Sequence, residues 1–371
     1  MTRRQLLLTG STLATSALAL QGCTAGVYGA ADRAAYEAAV RDTWRHGKRG
    51  LADFAAVQRE LVRYATLAPS SHNTQCWLFA FQRRGVSIRP DFARRCPAVD
   101  PDDHHLFVSL GCAAENLVQA AAAQGYHAEA VFDDKPDAAL SIALTPTKAI
   151  ATPLFEAIPS RQCTRGEYDR QPLTQYELRL LEAAGSDGGI QLLLLTDKAA
   201  MEQTLDYIVQ GNTAQMQDAA FTAELKQWIR FDDAEAVHER DGLFARASGS
   251  MVVPRWLGRR LFERFFTAKS ENDKYARQVR SSAGIAVFVS AGNDRAHWLQ
   301  VGRCYQRFAL QATALGIRNA FLNQPVEVAS LRPQFARYLD VGDRRPDLVV
   351  RFGRGPEMPR SLRRPLEEVL A

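Results

Sequence analysis

The chain has 371 residues, 46% of them apolar and 23% charged, and carries a formal charge of +5. That length buries one large core or two, and the ordinary apolar and charged fractions exclude a disordered or fibrous chain. The small net charge, with no basic stripe interleaved with aromatics, argues against a nucleic-acid partner.

The N-terminus reads as an address. Thr2-Arg3-Arg4-Gln5-Leu6-Leu7 looks like a twin-arginine export signal. The apolar run that follows, to Leu20, is too short and too interrupted to span a membrane. Leu20-Gln21-Gly22-Cys23 is similar to a lipobox, with Cys23 as the lipidated residue. Residues 1–23 are therefore expected to direct export, to the periplasm or to a membrane-anchored lipoprotein. A simple cleaved signal peptide and an uncleaved anchor remain alternatives.

Further along, Leu61, Tyr64, Ala65 and Ala68 share one helical face, and Pro69 ends that helix. The loop Ser70-Ser71-His72-Asn73-Thr74-Gln75 is dense in short hydrogen-bonding side chains. Strands are expected at Trp77–Gln82 and Val86–Arg89. Asp100-Pro101-Asp102-Asp103-His104-His105 reads as a helix start, Asp100 capping and Pro101 in the first turn, because adjacent histidines diverge on a helix. No metal site is expected there. A helix over Leu106–Gln124 leads into Ala128–Phe132 and on to a strand ending at Leu144.

The second part opens near Ser160. Thr174-Gln175-Tyr176-Glu177 forms a capping box, Ile190–Leu195 a strand, and residues 198–278 a helical insertion. A helix follows Gly292-Asn293-Asp294, then strands Arg318–Leu322 and Leu348–Phe352 and a basic tail. The insertion, with Glu224, Trp228, Arg230, Trp256 and Phe262, suits a lid, a packed cap or a surface touching lipid headgroups. The five cysteines after Cys23 are odd in number and lack C-x-x-C spacing, which argues against a disulfide framework or zinc site. Hydrolase motifs are absent.

The chain repeats itself once. Gly111 to Gly125 and Gly302 to Gly316 have the same separation, each glycine pair bounding an apolar helix that ends at the second glycine. Residues 31–155 and 156–371 are thus expected to be two halves, each with one mixed sheet and helices on its faces: an α+β sandwich.

Leu67-Ala68-Pro69-Ser70-Ser71-His72-Asn73-Thr74-Gln75-Cys76-Trp77 resembles the A-P-S-S-x-N-x-Q-P-W signature of the FMN-dependent nitroreductases, with Cys76 in place of proline. Ser160-Arg161-Gln162-Cys163-Thr164-Arg165 is similar to the family's R-x-S-x-[RK] turn, with Cys163 in place of serine. Arg360-Ser361-Leu362-Arg363-Arg364-Pro365-Leu366-Glu367-Glu368-Val369 is similar to its closing R-x-P-L-x-E-V. The chain most resembles the Acg-like branch, in which two nitroreductase-like halves are fused into one polypeptide.

The resemblance implies a nitroreductase-like mixed-sheet sandwich of two pseudo-twofold halves with a helical lid. It implies FMN gripped across the halves, with Arg161, Arg360 and Arg363 at the phosphate. Arg165 would reach the ribityl chain or ring edge, Ser70, Ser71, Asn73 and Gln75 would meet the ring, and Asn323 and Gln324 would face it near N5. It implies an oxidoreductase that uses a small-molecule acceptor such as a nitroaromatic or quinone and a donor the sequence leaves open, with no catalytic side chain and no metal. A flavin-holding protein with little turnover is the alternative. Fusion removes the need to dimerise, so a monomer is expected. The complementary fragments suffice for one FMN: Ala184-Gly185-Ser186-Asp187-Gly188-Gly189 stands where a second signature loop would be.

Overall fold

The computed structural model describes residues 29–134 and 139–371; the expected export signal and Cys23 lie outside the described residues. In chain order the first half carries α1 (residues 29–43), α2 (Phe54–Thr66), β1 (Trp77–Gln82), β2 (Gly85–Pro90), α3 (His104–Ala123), β3 (Tyr126–Asp133), β4 (Ala139–Pro146) and α4 (Pro153–Ala157). The second carries α5 (Gln175–Gly185) and β5 (Ile190–Leu195). Its insertion then holds α6 (Lys198–Gln217), α7 (Ala219–Trp228), β6 (Ile229–Arg230), α8 (Asp233–Glu239), β7 (Leu243–Phe244), α9 (Arg255–Phe265) and α10 (Ala268–Arg280). It closes with β8 (Gly284–Ser290), α11 (Arg295–Ala314), β9 (Arg318–Phe321), α12 (Gln324–Glu327), α13 (Arg332–Tyr338) and β10 (Arg345–Gly353).

The two sheets have the same plan. One runs β1-β2-β4-β3, the other β5-β8-β10-β9. First hairpin strand matches first, and the strand after the long helix (β3 or β9) lies at one edge of each. This is the sheet-level signature of the duplication expected from the two glycine-bounded helices. Every neighbouring strand pair in both sheets is antiparallel. The parallel component that "mixed" implied comes from isolated bridges, Phe79 with Leu370 and Cys163 with Asn319. The first ties the C-terminal tail to the first half: Phe79 N–H donates to Val369 O (2.7 Å) and Ala371 N–H to Phe79 O (2.8 Å).

β8 was not anticipated. Its seven residues are all buried, so the sequence shows an unbroken apolar run with none of the alternation that marks a half-exposed strand. The capping box at Thr174 and Glu177 forms as expected. Asp100 acts as a helix cap from a distance: its carboxylate accepts from His105 N (3.0 Å) and Leu106 N (2.9 Å), while α3 itself starts after Asp103. Pro101 therefore precedes the helix and is not in its first turn.

α3 and α11 cross at the centre and share one core. The crossing is reciprocal. A Cβ on Gly111 would lie 2.0 Å from Leu299 O, and one on Gly302 would lie 2.0 Å from Val108 O. Each glycine thus meets the residue three before the other, as a twofold axis through the contact demands. Only glycine admits backbones at that separation. Gly125 (φ +84°) and Gly316 (φ +70°) end the helices in left-handed geometry.

Candidate functional site

The signature loop is built on the C-terminus of α2. That helix starts at Asp53, whose carboxylate accepts from Ala56 N, and buries Leu61, Tyr64, Ala65 and then Ala68. Its last carbonyls have no helical partners. Beyond Pro69, His72 (φ +48°), Asn73 (φ +55°) and Gln75 (φ +55°) are all left-handed and none is glycine. Such backbone persists only where the surroundings over-determine it. Here the Gln75 N–H donates to Ser70 Oγ (2.8 Å). Asn73 Nδ2 donates to Gly242 O (3.1 Å), and Gln75 Nε2 to Arg240 O (3.0 Å). Both acceptors belong to the insertion, which is thereby stitched onto the loop.

Three arginines gather at the end of α2. Arg363 is buried and donates to Thr66 O (2.7 Å), Ala68 O (3.0 Å) and Asn73 Oδ1 (2.9 Å). Arg161, also buried, donates to Leu67 O (2.9 Å), and its Nε is shut off from solvent with no partner. Arg360 donates to Pro159 O (2.8 Å) and Ser160 O (3.2 Å). Their guanidiniums surround the Trp44 ring at 4.8, 5.1 and 5.9 Å for Arg363, Arg360 and Arg161. Among the described residues none of the three has a carboxylate within ion-pair distance. Burial, then the Arg161 and Arg360 charges, pull the Arg363 pKa well below its ordinary value. Buried cations are paired or neutralised in stable proteins, and guanidiniums without an acid suit an anionic group.

A small chamber of about 80 Å³ lies against this cluster, lined by Trp44, Ser70, Asn73 and the three arginines. It adjoins a cavity of about 670 Å³; Pro69, Ser70, Arg165, Leu243, Ser248 and Phe321 line both. The large cavity lies between the halves. Ser71, His72, Asn323 and Gln324 border it on one side, and apolar residues of the insertion, such as Phe221, Leu261 and Phe262, roof it. Nine of the ten residues singled out from sequence line one space or the other. Gln75 lines neither: its side chain joins Arg240 O to Arg364 N (2.8 Å) and is a structural strut. Arg363 also departs from expectation, because its donors are spent on the carbonyls of the loop. It holds the loop, while Arg161 Nε has no partner.

Trp44 had no sequence signal. It sits just past α1, where its Nε1 donates to Ser361 O (2.9 Å) and helps Tyr36, which donates to Arg360 O (2.6 Å), fix the tail. Arg165 donates to Ser248 Oγ (3.0 Å) from the insertion. Gln324 Oε1 is buried without a partner. Behind the wall sits a buried acidic and imidazole group. His105 Nδ1 lies 3.8 Å from Glu327 and 4.0 Å from Asp100, and His104 Nε2 shares a hydrogen bond with Asp347 (3.0 Å). Burial raises the Asp100 pKa to about 7 and that of Glu327 above its usual range, and lowers both histidines. His104, His105 and Asp100 place ligand atoms within 4.8 Å of one another, so the adjacent histidines do converge, contrary to the helical-divergence argument. Asp100 is engaged in the α3 start and His104 with Asp347, while His105 Nε2 is buried without a partner. Cys76 is buried and its thiol is pushed up to about 12, which makes it an inert small apolar residue.

Two curated proteins of Mycobacterium tuberculosis match most of the chain. "Putative NAD(P)H nitroreductase Rv3131" is 25% identical over 329 residues, 85% of this chain and 91% of the relative. "Putative NAD(P)H nitroreductase acg" is 24% identical over 327 residues, 84% and 95% respectively. Over most of its length the chain is similar to these Acg-like proteins. No protein-family profile matches it. Among solved structures, the FMN-dependent nitroreductase NfnB of Mycobacterium smegmatis aligns over 58% of this chain and 96% of its own, at 15% identity and a TM-score of 0.38. Both matches cover more of the chain than either half alone.

Proposed function

We propose that the chain is an FMN-dependent oxidoreductase of the nitroreductase type. The observation that carries this reading is the carboxylate-free arginine cluster around Trp44, at the closed end of a cavity between two fused halves. It fits a phosphate monoester: Arg161 offers an unpartnered Nε, and Arg360 and Arg363 supply the field. Ser70 and Ser71 have hydroxyls on the cavity wall, and Arg165 lies where both chambers meet, placed to hold negative charge on a reduced ring. A bound flavin would supply hydride transfer to an acceptor. The chain's own part is to bind and orient, to exclude water beneath the aromatic roof, and to stabilise charge through Arg165. Nitroaromatics or quinones are the acceptors in this reading, and the donor is an NAD(P)H-type reductant or, if the protein is exported, a protein or quinol. Export by the twin-arginine route, a lipid on Cys23 and a monomeric state complete it.

Holding without much turnover is the second reading. What favours it is the stitching of the insertion onto the signature loop through Asn73 and Gln75, which ties the loop to the segment that roofs the cavity.

The purified chain should be yellow, and FMN titrated into apoprotein should saturate at one per chain. Arg161→Ala should weaken binding by about 1.5–3 kcal/mol, the scale of a hydrogen bond to a charged group. A colourless chain that takes up no FMN overturns the proposal. Reduction by NADPH or dithionite followed by reoxidation with menadione or nitrofurazone supports turnover; a reduced flavin that neither acceptor reoxidises supports holding.

A further inference from the structure

Helix α9 has two working faces. Inward, Gly258, Leu261 and Phe262 line the large cavity, and Gly258 sits so close to the Phe231 ring that a Cβ there would lie 2.3 Å from it. The helix is therefore seated. On the opposite face Trp256 is 64% exposed. At the rim of the cavity, which they also line, Phe265 is 61% exposed and, just before the helix, Met251 77%. Three of the largest exposed apolar side chains among the described residues thus fall within fifteen positions of one another.

Charge accompanies them. Arg255, Arg259, Arg260 and Arg264 all lie on α9 and all are exposed. Arg255 pairs with Glu235 (3.3 Å), and the helix's one acid, Glu263, pairs with Lys226. Arg259, Arg260 and Arg264 have no carboxylate within ion-pair distance among the described residues. Trp256 and Arg260 are four apart, on one face, with the guanidinium 6.0 Å from the indole ring.

We infer that the outer face of α9, with Met251, docks on an anionic phospholipid bilayer. Guanidiniums match phosphodiesters in shape and charge. An exposed indole flanked by cations suits the headgroup boundary, where its ring meets acyl chain and its N–H meets water. A second copy of this chain is the poorer occupant, because two such faces would set six unpaired arginines against one another. Phe265 borders the cavity and is also exposed, so docking turns one mouth of the cavity toward the hydrocarbon phase. The inference holds whatever the cavity contains.

The test uses the full chain and its five tryptophans. Trp77 and Trp298 are buried, and Trp44 and Trp228 half-buried, so Trp256 is the one presented to a lipid surface. Vesicles of phosphatidylglycerol with brominated acyl chains should quench tryptophan fluorescence, and vesicles of phosphatidylcholine alone should not. Trp256→Phe should remove most of that quenching. A double change, Arg259→Glu with Arg260→Glu, should lower vesicle partitioning at least tenfold, as should 0.5 M salt. Circular dichroism of the variants checks that these surface changes leave the fold intact. Quenching that survives Trp256→Phe, or partitioning that survives the double change, assigns binding to another part of the chain and overturns the inference. So does equal binding to both lipids, or self-association that protects Trp256.

Discussion

Two loops occupy equivalent places in the two halves: residues 67–76 between α2 and β1, and residues 186–189 between α5 and β5. In both, a serine hydroxyl takes a backbone N–H from the strand side, Ser70 from Gln75 (2.8 Å) and Ser186 from Leu192 (3.1 Å). There the likeness ends. The second loop turns on glycines, Gly188 (φ +58°) and Gly189 (φ +84°), and the first turns on His72, Asn73 and Gln75. Arginine reaches both. At the second, Arg307 donates to Ala184 O, Asp187 and Glu115, each at 3.2 Å, and Arg303 adds its own bond to Glu115 (3.2 Å). Every cation there has an acid. At the first, none of the three does. The same scaffold position is relaxed and neutralised in one half, and strained and positively charged in the other. What separates the two loops is thus not the presence of arginine but the absence, among the described residues, of a carboxylate to satisfy it.

The comparison depends on a twofold relation, and the largest expected effect breaks that relation at its axis. Gly111→Ala and Gly302→Ala each drive a methyl into a backbone carbonyl of the facing helix, and each should lower stability in urea by about 3 kcal/mol, at the upper end of overpacking costs. Matching losses sharpen the case for a true axis; a loss at one position alone breaks it. Next, Arg161→Ala should weaken FMN binding by the amount given above, whereas Arg307→Ala should leave FMN affinity unchanged and instead cost about 1–3 kcal/mol of fold stability by half-stripping buried Glu115. Equal effects of the two on affinity, measured by fluorescence titration, would erase the distinction between the loops.

Gln75→Ala comes third. It should cost about 1–2 kcal/mol by orphaning Arg240 O and the Arg364 N–H, with the flavin absorbance spectrum unaltered. A spectral shift would restore Gln75 to the cofactor. The smallest effect is one of pH. His72 Nε2 is sealed from solvent, and burial, then the nearby Arg165 and His105, lower its pKa to about 4. A depressed imidazole contributes stability that is complete above about 6.5 and lost as pH falls toward 4. His72→Gln should therefore show a shallower decline in stability across that window than the parent chain.

Much of this was legible from sequence where the signal was local. Periodicity and Pro69 located α2, glycine spacing gave the paired helices, and the Thr174–Glu177 box fixed the start of α5. The site residues were legible as residues but not as roles. Gln75 and Arg363 owe their roles to partners some 165 and 290–297 positions away, and no pattern along the chain encodes those meetings. Trp44 was invisible for the same reason: a lone tryptophan beyond a helix end carries no period. β8 was missed because burial on both faces erases alternation, and the histidines of α3 were misjudged because a wheel gives the direction of a side chain's root and not the reach of its ring: the two ring centroids lie 4.6 Å apart.

The bridge between Phe79 and the last described residues has a consequence for how the protein is made. β1 emerges from the ribosome early, yet the backbone that covers its outer edge is synthesised after everything else described. The first half can collapse but cannot finish its sheet while translation continues, and an uncovered edge is a template for wrong pairing. Two halves joined in this way cannot complete their folding one after the other.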